Sequence, residues 1–189
     1  MTEKDKMLKG ELYDANNDKE LISDRIKAKD MCYEYNNLKP SEYKKRDELI
    51  KKILGKTGKK ILIESNFICD YGYNINVGEN FYMNHNCIIL DAGKVEFGDN
   101  VFVAPNCGFY TAGHPLEPKI RNKGLEYAKP IKIGNNVWIG GNVTVLPGIT
   151  IGDNVTIGAG SVVTKDIPSN VVAVGNPCKI LKNKRITQI

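Results

Sequence analysis

The sequence contains few of the side chains that bind metals or build disulfide frameworks. Its 189 residues include only two histidines, His85 and His114, and one tryptophan, Trp138. A catalytic zinc site that takes three imidazoles, as in some zinc hydrolyases, therefore cannot be supplied by one chain. The five cysteines are odd in number and scattered, without C-x-x-C spacing. They predict neither a disulfide framework nor a zinc ribbon, and we predict no metal requirement.

Long apolar runs and a strong charge imbalance are also missing. No apolar run approaches the length of about 20 residues that a membrane helix needs, and residues 1–10 are charged, unlike a signal peptide. We therefore expect a cytoplasmic protein with no membrane partner. The net charge is +5, and the lysines cluster within residues 44–60 and 179–184. Because no aromatic residues are interleaved with them in a nucleic-acid-binding motif, we predict no nucleic-acid partner.

What the sequence does contain is a six-residue repeat. An apolar branched residue recurs at Ile133, Ile139, Val145, Ile151, Ile157 and Val163, and a second candidate core residue stands two positions before each of the last five, at Val137, Val143, Ile149, Val155 and Ser161. A period of two within each hexapeptide is typical of a strand and not of a helix. Three such strands per turn make a parallel β-helix, so the fold class is mainly β.

The repeat begins before residue 133 and is interrupted once. Earlier members are Val77, Met83, Ile89 and Val95 in one phase, and Phe97, Val103 and Phe109 in another. Between Tyr110 and Pro130 the repeat fails in a stretch rich in glycine, proline and charge, which predicts a loop that leaves the coil. Loops on a rigid scaffold commonly carry the chemistry of a protein.

The residues before the coil predict a small helical lobe. Residues 18–54 show helical spacing that breaks at Leu38-Lys39-Pro40, which predicts two short helices with Ser41 as the N-cap of the second. We divide the chain into this lobe, residues 1–58, and a coil, residues 59–189, with its loop at about 110–130 and a C-terminal tail. The lobe is too small for its own core, so it should pack on the coil or on another subunit.

Several motifs together resemble those of a known family. They are G-E-L-Y-D-A, Y-M-N-H-N followed by I-L-D, T-A-G-H-P, I-G-N-N-V-W-I-G, I-G-A-G-S-V-V-T-K-D-I-P and G-N-P-C-K. This set resembles the maltose and galactoside O-acetyltransferases of the hexapeptide-repeat superfamily over essentially the whole chain. The resemblance implies a left-handed coil, a homotrimer with active sites between subunits, and transfer of acetyl from acetyl-CoA to a sugar hydroxyl.

The resemblance makes His114, in T-A-G-H-P, the general base. A positioned imidazole titrates near neutral pH and can take the proton of a sugar hydroxyl as it attacks the thioester, without a covalent acetyl-enzyme. Glu126 is expected either to orient His114 by holding one imidazole tautomer or to be a solvated loop acid. His85, between Met83 and Cys87, either faces the core or points outward.

Five residues are candidates for binding the sugar. Asn84 and Asp91 match the acceptor-binding positions of the family, and their amide and carboxylate groups suit a polyol, although asparagine also stabilises coil corners. Asp70 stands where galactoside enzymes carry serine and is expected to alter which sugar binds. Asp14 is displaced by about one position from the galactoside pattern. Tyr82 either packs against a sugar face or covers the coil.

Seven residues are expected to bind coenzyme A, namely Trp138, Gly141, Ala159, Thr164, Lys165, Lys179 and Lys182. Trp138 lies between two inward residues and should point outward, toward a cofactor channel or a neighbouring subunit. The resemblance implies that the Gly141 N–H meets the thioester oxygen, a donor worth ~3 kcal/mol. Ala159, Thr164 and Lys165 match contacts to pantetheine and phosphate. Lys179 and Lys182 stand where related enzymes often have arginine, and they would bind phosphate as point charges.

Two other functions are compatible with this sequence. One is an acetyltransferase for another acceptor, such as an aminosugar or a xenobiotic. The other is a non-catalytic β-helix scaffold. The physiological acceptor depends on a few loop side chains contributed by two subunits, so the sequence does not name it.

Overall fold

The computed structural model describes residues 1–183. Lys184, a member of the second lysine cluster, and the rest of the predicted tail lie outside the described residues. The helices are α1 (Glu3–Lys9), α2 (Lys19–Asn37), α3 (Tyr43–Ile53) and α4 (Pro118–Arg121). None of the helices in this described part is long and apolar enough to cross a membrane.

The rest of the chain is built from short strands. In chain order they are β1 (Ile61–Ile63), β2 (Ile68–Cys69), β3 (Ile75–Val77), β4 (Phe81–Met83), β5 (Ile88–Leu90), β6 (Val95–Phe97), β7 (Phe102–Val103), β8 (Gly108–Tyr110), β9 (Ala112–Gly113), β10 (Tyr127–Ala128), β11 (Ile131–Ile133), β12 (Trp138–Ile139), β13 (Thr144–Val145), β14 (Thr150–Ile151), β15 (Thr156–Ile157), β16 (Val162–Val163), β17 (Val171–Val174) and β18 (Lys179–Asn183).

Sixteen of these strands form the three faces of a parallel β-solenoid. The first face has the order β1-β4-β7-β12-β15-β17-β18, the second β2-β5-β8-β13-β16, and the third β3-β6-β11-β14. Neighbours within a face pair in parallel, except for the final antiparallel pair β17 and β18. Successive coils therefore stack strand on strand, and the predicted parallel β-helix is confirmed.

The interior of the solenoid is filled by the predicted residues. Every predicted inward position from Ile133 to Val163 is buried, including Ser161. The Ser161 hydroxyl donates to the carbonyl of Gly158 at 2.6 Å and accepts the Gly175 N–H at 2.9 Å, so its polar atom is satisfied. Tight corners connect the faces, and asparagines such as Asn86 and Asn142 adopt the left-handed conformation there, with φ of 62° and 58°.

The N-terminal lobe contains more helix than predicted. Helix α1 was not predicted, because only Met7 among its residues is buried and no apolar spacing marks it. Its signal is a capping box, in which the Thr2 hydroxyl accepts the Asp5 N–H and the Asp5 carboxylate accepts the Thr2 N–H. Helix α2 has 19 residues and is not short, and its N-cap Asp18 accepts the Leu21 N–H.

The prediction that Ser41 is the N-cap of the second predicted helix is wrong. Helix α3 begins at Tyr43, and Glu42 occupies the cap position without a side-chain hydrogen bond to the helix. The Glu42 carboxylate instead accepts the Lys39 N–H and the Lys45 ammonium. Tertiary packing holds α3, because Arg46 is buried and donates to the carbonyl of Ile63 in β1 at 3.2 Å.

Candidate active site

The candidate residues lie mainly at two corners of the solenoid, one on each side of the second face. We define the first corner as the turns from the first face to the second, residues 84–87, 140–143 and 158–161. We define the second corner as the turns from the second face to the third, residues 70–74, 91–94, 111–130 and 164–166. Because the coils are in register, residues far apart in sequence are stacked at each corner.

His114 follows β9 at the second corner. Strand β9 pairs with β10, with Gly113 opposite Tyr127, so the loop between them leaves and re-enters the coil at one point. The His114 Nδ1 lies 3.1 Å from the carbonyl oxygen of Leu125. Since a carbonyl only accepts, Nδ1 carries the proton of the neutral ring, and the lone pair is on Nε2. The side chain is 50% exposed, so Nε2 is accessible to a substrate.

Glu126 lies beside the other nitrogen of this ring. Its Oε1 is 4.0 Å from His114 Nε2, and its Oε2 accepts the Tyr13 hydroxyl at 2.9 Å. The expected role of Glu126 stays a prediction. In this chain the Leu125 carbonyl contacts Nδ1, and Glu126 lies on the Nε2 side of the ring. Two groups at this site were not predicted. The Leu125 carbonyl contacts the ring through its backbone and has no side-chain signal, and Tyr13 lies in the motif G-E-L-Y-D-A, which gives no indication of its contact with Glu126.

A small polar cavity of about 150 Å³ lies between the lobe and the second corner. Its lining includes two carboxylates, Asp70 and Glu126, and two cations, Arg25 and Lys29. Burial raises the pKa of Asp70, while the charges of Lys29 and Arg25 oppose that shift. The alternation of acceptors and donors suits a hydroxyl-rich small molecule. A larger cavity of about 530 Å³, between α3 and β1, contains none of the candidate residues.

Asp91 does not line this cavity. Its side chain is fully buried, and Oδ1 accepts the N–H groups of Asp70 at 3.0 Å and Tyr71 at 2.8 Å. Its Oδ2 is buried and has no partner among the described residues. Burial raises the pKa of Asp91 to about 7. The direct contact of Asp91 with an acceptor stays a prediction. In this chain its carboxylate fixes the turn that presents Asp70.

Asp14 has a local structural contact. Its Oδ1 accepts the N–H groups of Asn16 and Asn17, both at 3.1 Å, which closes a turn before α2. Its neighbours Tyr13 and Ala15 line the polar cavity. The carboxylate of Asp14 therefore shapes the wall of the cavity by fixing the leader.

The first face carries an outward column of large side chains. In register from one coil to the next are Leu62, Tyr82, Phe102 and Trp138. Trp138 is 58% exposed, which confirms the predicted outward position. Leu62 and Phe102 are also exposed. A contiguous apolar column of this kind marks a surface that another surface covers.

The first corner offers free backbone donors. Within residues 1–183, the N–H of Gly141 has no hydrogen-bond partner, whereas the flanking Gly140 and Asn142 N–H groups are bonded to Ile157 and Pro105. The N–H of Ala159, one coil further on, is likewise without a partner in that part of the chain. Two stacked N–H groups without a partner among the described residues can each donate to an oxygen of a bound molecule.

Other first-corner residues point outward. The Asn84 Oδ1 accepts the N–H of His85 at 2.8 Å. His85 is exposed, with Nε2 4.0 Å from Glu64 Oε2, so it does not face the core. The remaining candidates for binding coenzyme A are exposed at one end of the coil, with Thr164 and Lys165 at the second corner and Lys179 and Lys182 on β18.

A single chain does not bring the two corners together. Asn84 and His114 flank opposite edges of the second face, whose strands have two or three residues. At ~3.3 Å per residue, about 10 Å of strand separates the corners. His114, Glu126 and Asp70 are grouped, while Tyr82, Asn84, Trp138, Gly141 and Ala159 form a separate group across that face.

A parallel β-solenoid with an accessible imidazole on an extruded loop and unused N–H groups along one corner defines the class of hexapeptide-repeat acetyltransferases. Residues 6–58 match the maltose acetyltransferase hexapeptide capping motif, and residues 130–165 match the bacterial transferase hexapeptide in six repeats. The chain belongs to the family of maltose and galactoside O-acetyltransferases.

Solved structures support this assignment over the full length. A maltose O-acetyltransferase from Clostridium difficile 630 is 56% identical, with a TM-score of 0.96 and coverage of 98% of both chains. A galactoside acetyltransferase in complex with coenzyme A is 44% identical, with a TM-score of 0.94 over 98% of this chain and 92% of its own. A hexapeptide-repeat acetyltransferase from Vibrio cholerae, complexed with acetyl-CoA, is 34% identical, with a TM-score of 0.89 over 98% and 100% of the two chains.

Proposed function

We propose that this acetyltransferase transfers the acetyl group of acetyl-CoA to a hydroxyl of a sugar, of the maltose, glucoside or galactoside type, with His114 as general base. The observation that carries the proposal is the hydrogen-bond distance of 3.1 Å between His114 Nδ1 and the Leu125 carbonyl. It leaves Nε2 as a proton acceptor beside a polar cavity. A base so positioned contributes about 10²–10⁴ in rate.

The first corner supports the binding of acetyl-CoA in this proposal. The unused N–H of Gly141 would donate to the thioester oxygen as negative charge develops there, and Ala159 would donate to the pantetheine arm. Trp138 would cover the arm with its exposed indole face. Lys165, Lys179 and Lys182 would hold phosphate groups at the far end. The galactoside acetyltransferase and the Vibrio cholerae acetyltransferase are described as complexes with coenzyme A and acetyl-CoA.

The proposed active enzyme is a homotrimer with its sites between chains. In this proposal the base, His114, lies at the second corner, and the N–H groups that would bind the thioester lie at the first corner. A second copy that covers the first face of its neighbour would bring its second corner to that neighbour's first corner. The exposed column of Leu62, Phe102 and Trp138 supports this arrangement, because association would bury it.

The test is release of free thiol from acetyl-CoA with a panel of acceptors. We expect turnover with maltose, glucose or a galactoside, and a loss of about 10²–10⁴ in kcat for His114→Ala with unchanged affinity for coenzyme A. His85→Ala is the matched control and should be far milder. Full activity of His114→Ala, or loss of activity only in His85→Ala, would overturn the assignment of the base.

Two other outcomes of this test would indicate a different function. Asp70 and Glu126 place two carboxylates in the polar cavity, so a cationic aminosugar is a second candidate acceptor. Thiol release with glucosamine or a xenobiotic and not with neutral sugars would favour that candidate. Absence of thiol release with every acceptor would favour a scaffold role.

A further inference from the structure

The N-terminal leader is joined to the loop that carries the candidate base. Tyr13 and Glu126 exchange two backbone hydrogen bonds, of 3.0 and 3.1 Å. The Tyr13 hydroxyl also donates to Glu126 Oε2 at 2.9 Å. Tyr13 is 1% exposed, so this donor is fixed by packing as well as by the backbone. A residue 113 positions away therefore sets where the Glu126 carboxylate lies.

The second oxygen of this carboxylate faces the reactive nitrogen of His114. Oε1 is 4.0 Å from Nε2, while Nδ1 is engaged by the Leu125 carbonyl. A carboxylate on this side does not select the tautomer. It stabilises positive charge on the ring once Nε2 has taken a proton, because opposite charges at this distance attract strongly in a partly buried site.

We propose that Tyr13 is a positioning residue of the acetyl-transfer site, which holds Glu126 so that its free oxygen is the counter-ion of protonated His114. This inference rests on the proposed function. In the step concerned, Nε2 takes the proton of the attacking hydroxyl while the hydroxyl oxygen bonds to the acetyl carbon. The carbon–sulfur bond breaks, and the sulfur leaves with its electron pair and receives that proton from Nε2.

The surroundings of Glu126 leave this role to Tyr13. The other titratable or charged groups around the polar cavity are Arg25 and Lys29 from α2 and Asp70 and Tyr71 from the second corner. Arg25 donates hydrogen bonds to the Tyr71 hydroxyl, at 2.7 Å, and to the Ala15 carbonyl. Within residues 1–183, Tyr13 supplies the side-chain hydrogen bond to Glu126. Burial and the adjacent Glu126 charge raise the pKa of Tyr13, so its hydroxyl stays a donor at neutral pH.

The experiment is a double-mutant cycle of Tyr13→Phe and Glu126→Gln, which keeps the aromatic ring and the size of the carboxylate. For Glu126→Gln we expect kcat to fall about tenfold with unchanged KM for acetyl-CoA, because protonated His114 loses its counter-ion in the transition state. For Tyr13→Phe we expect a loss of about three- to tenfold in kcat, again with unchanged KM for acetyl-CoA, because the Glu126 carboxylate is no longer held in place.

The proposal requires that the Tyr13→Phe effect depend on the charge at residue 126. In the Glu126→Gln background, Tyr13→Phe should change kcat by less than about twofold. Equal effects in both backgrounds, or a lower Tm with unchanged kcat, would overturn the proposal and leave Tyr13 a packing role. Tyr33→Phe, at an exposed tyrosine of α2, is the control.

A readout without turnover separates this inference from the proposed function. The sequence has two histidines, so His114→Ala assigns both imidazole signals in an NMR spectrum. The His114 signals should change in Glu126→Gln and in Tyr13→Phe, while the His85 signals stay in place, whether or not the acceptor is known. If these changes occur without acetyl transfer to any acceptor, the proposed function fails and the Tyr13–Glu126–His114 linkage stands. If the His114 signals are the same in all variants, the linkage fails.

Discussion

At the scale of single residues, the two aspartates beside the polar cavity have different tasks. Asp70 borders the cavity, while Asp91 lies beneath it and accepts the N–H groups of Asp70 and Tyr71. Burial holds the pKa of Asp91 at about 7, with Oδ2 lacking a partner in the described part of the chain. The protonated form is the one that such an enclosed oxygen favours, because an unpaired buried charge is costly. Support of the polar cavity therefore depends on a carboxyl group that changes its charge near neutral pH and not at acidic pH.

This arrangement predicts the pH dependence of stability. The folded pKa of Asp91, about 7, lies above the ordinary value of ~3.9, so its proton is lost more easily from the unfolded chain. The stability that the protonated group contributes is complete below pH ~4 and is lost as pH rises to about 7, at most about 1.4 kcal/mol per pH unit. Asp91→Asn keeps the oxygen acceptor and cannot ionise. We expect its Tm relative to the wild type to rise between pH 4 and pH 7 and then level off.

Thermal unfolding across that pH range checks the prediction. Asp30→Asn, at an exposed position of α2, is the control and should show no such trend. A Tm difference for Asp91→Asn that is the same at every pH would mean that Asp91 is ionised in the folded protein throughout.

Residue positions were predictable to different degrees for physical reasons. The outward direction of Trp138 follows from its two inward neighbours, since strand geometry alternates. The pairing of His114 with the Leu125 carbonyl could not be predicted, because backbone atoms carry no sequence identity. The burial of Asp91 follows from how the lobe covers the second corner, and Tyr13 contacts Glu126 only because the leader reaches that corner. Neither the burial of Asp91 nor the contact between Tyr13 and Glu126 is indicated by the residues next to them in the sequence.

At the scale of elements, the periodic parts were predictable and the aperiodic parts were not. Each hexapeptide must bury the same positions, so the strands of the coil and the loop that interrupts them follow from the apolar spacing. Helix α1 lacks such spacing. Helix α3 begins at Tyr43 without a side-chain cap, and its Arg46 packs against β1. Where an element depends on tertiary contacts, its sequence alone underdetermines its ends.

The antiparallel pair β17 and β18 yields a prediction for the binding of coenzyme A. In this pair Val174 is opposite Lys179 and Val172 is opposite Lys182, and both lysines are exposed. If they hold the 3′-phosphate, their attraction is screened over about 8 Å at physiological ionic strength. Replacing both by alanine should raise KM for acetyl-CoA severalfold and flatten its salt dependence, with kcat little changed.

Steady-state kinetics with two thioester substrates test this prediction. The effect of the double substitution should largely disappear with acetyl-dephospho-CoA, which lacks the 3′-phosphate. Lys132→Ala, at an exposed lysine on the third face, is the control for a general loss of charge. Equal losses with both thioesters would assign the lysines to the fold or to another ligand.

At the scale of the whole molecule, the proposed chemistry requires two chains. The proposed base, His114, and the polar cavity are at the second corner. The N–H groups of Gly141 and Ala159, which have no partner within residues 1–183, are at the first, about 10 Å of strand away. The exposed column on the first face supplies an apolar surface for association. Sedimentation should therefore give a trimer at micromolar concentration, and a monomer would contradict a site between subunits.

A sharper consequence is that two impaired variants should restore acetyl-transfer activity when their chains are mixed. His114→Ala lacks the base, and Asn84→Ala, expected to lower kcat/KM for the acceptor more than about tenfold, lacks a first-corner group. In a mixed trimer, His114 of an Asn84→Ala chain can face Asn84 of a His114→Ala chain, so one complete site forms at that junction. Random assembly of equal amounts should leave about a quarter of the sites complete. Co-refolded mixtures are compared with the two variants combined without subunit exchange.

Mixing wild type with a chain that carries both His114→Ala and Asn84→Ala distinguishes a site between two chains from a site within one chain by the fraction of activity retained. If each site spans two chains, about a quarter of all sites in an equal mixture are complete, because both neighbours must be intact. If each site lies within one chain, it retains about half, and the two single variants never restore activity to each other. Recovery near a quarter in both mixtures would establish the two-chain site, and no recovery in the first mixture with half in the second would refute it.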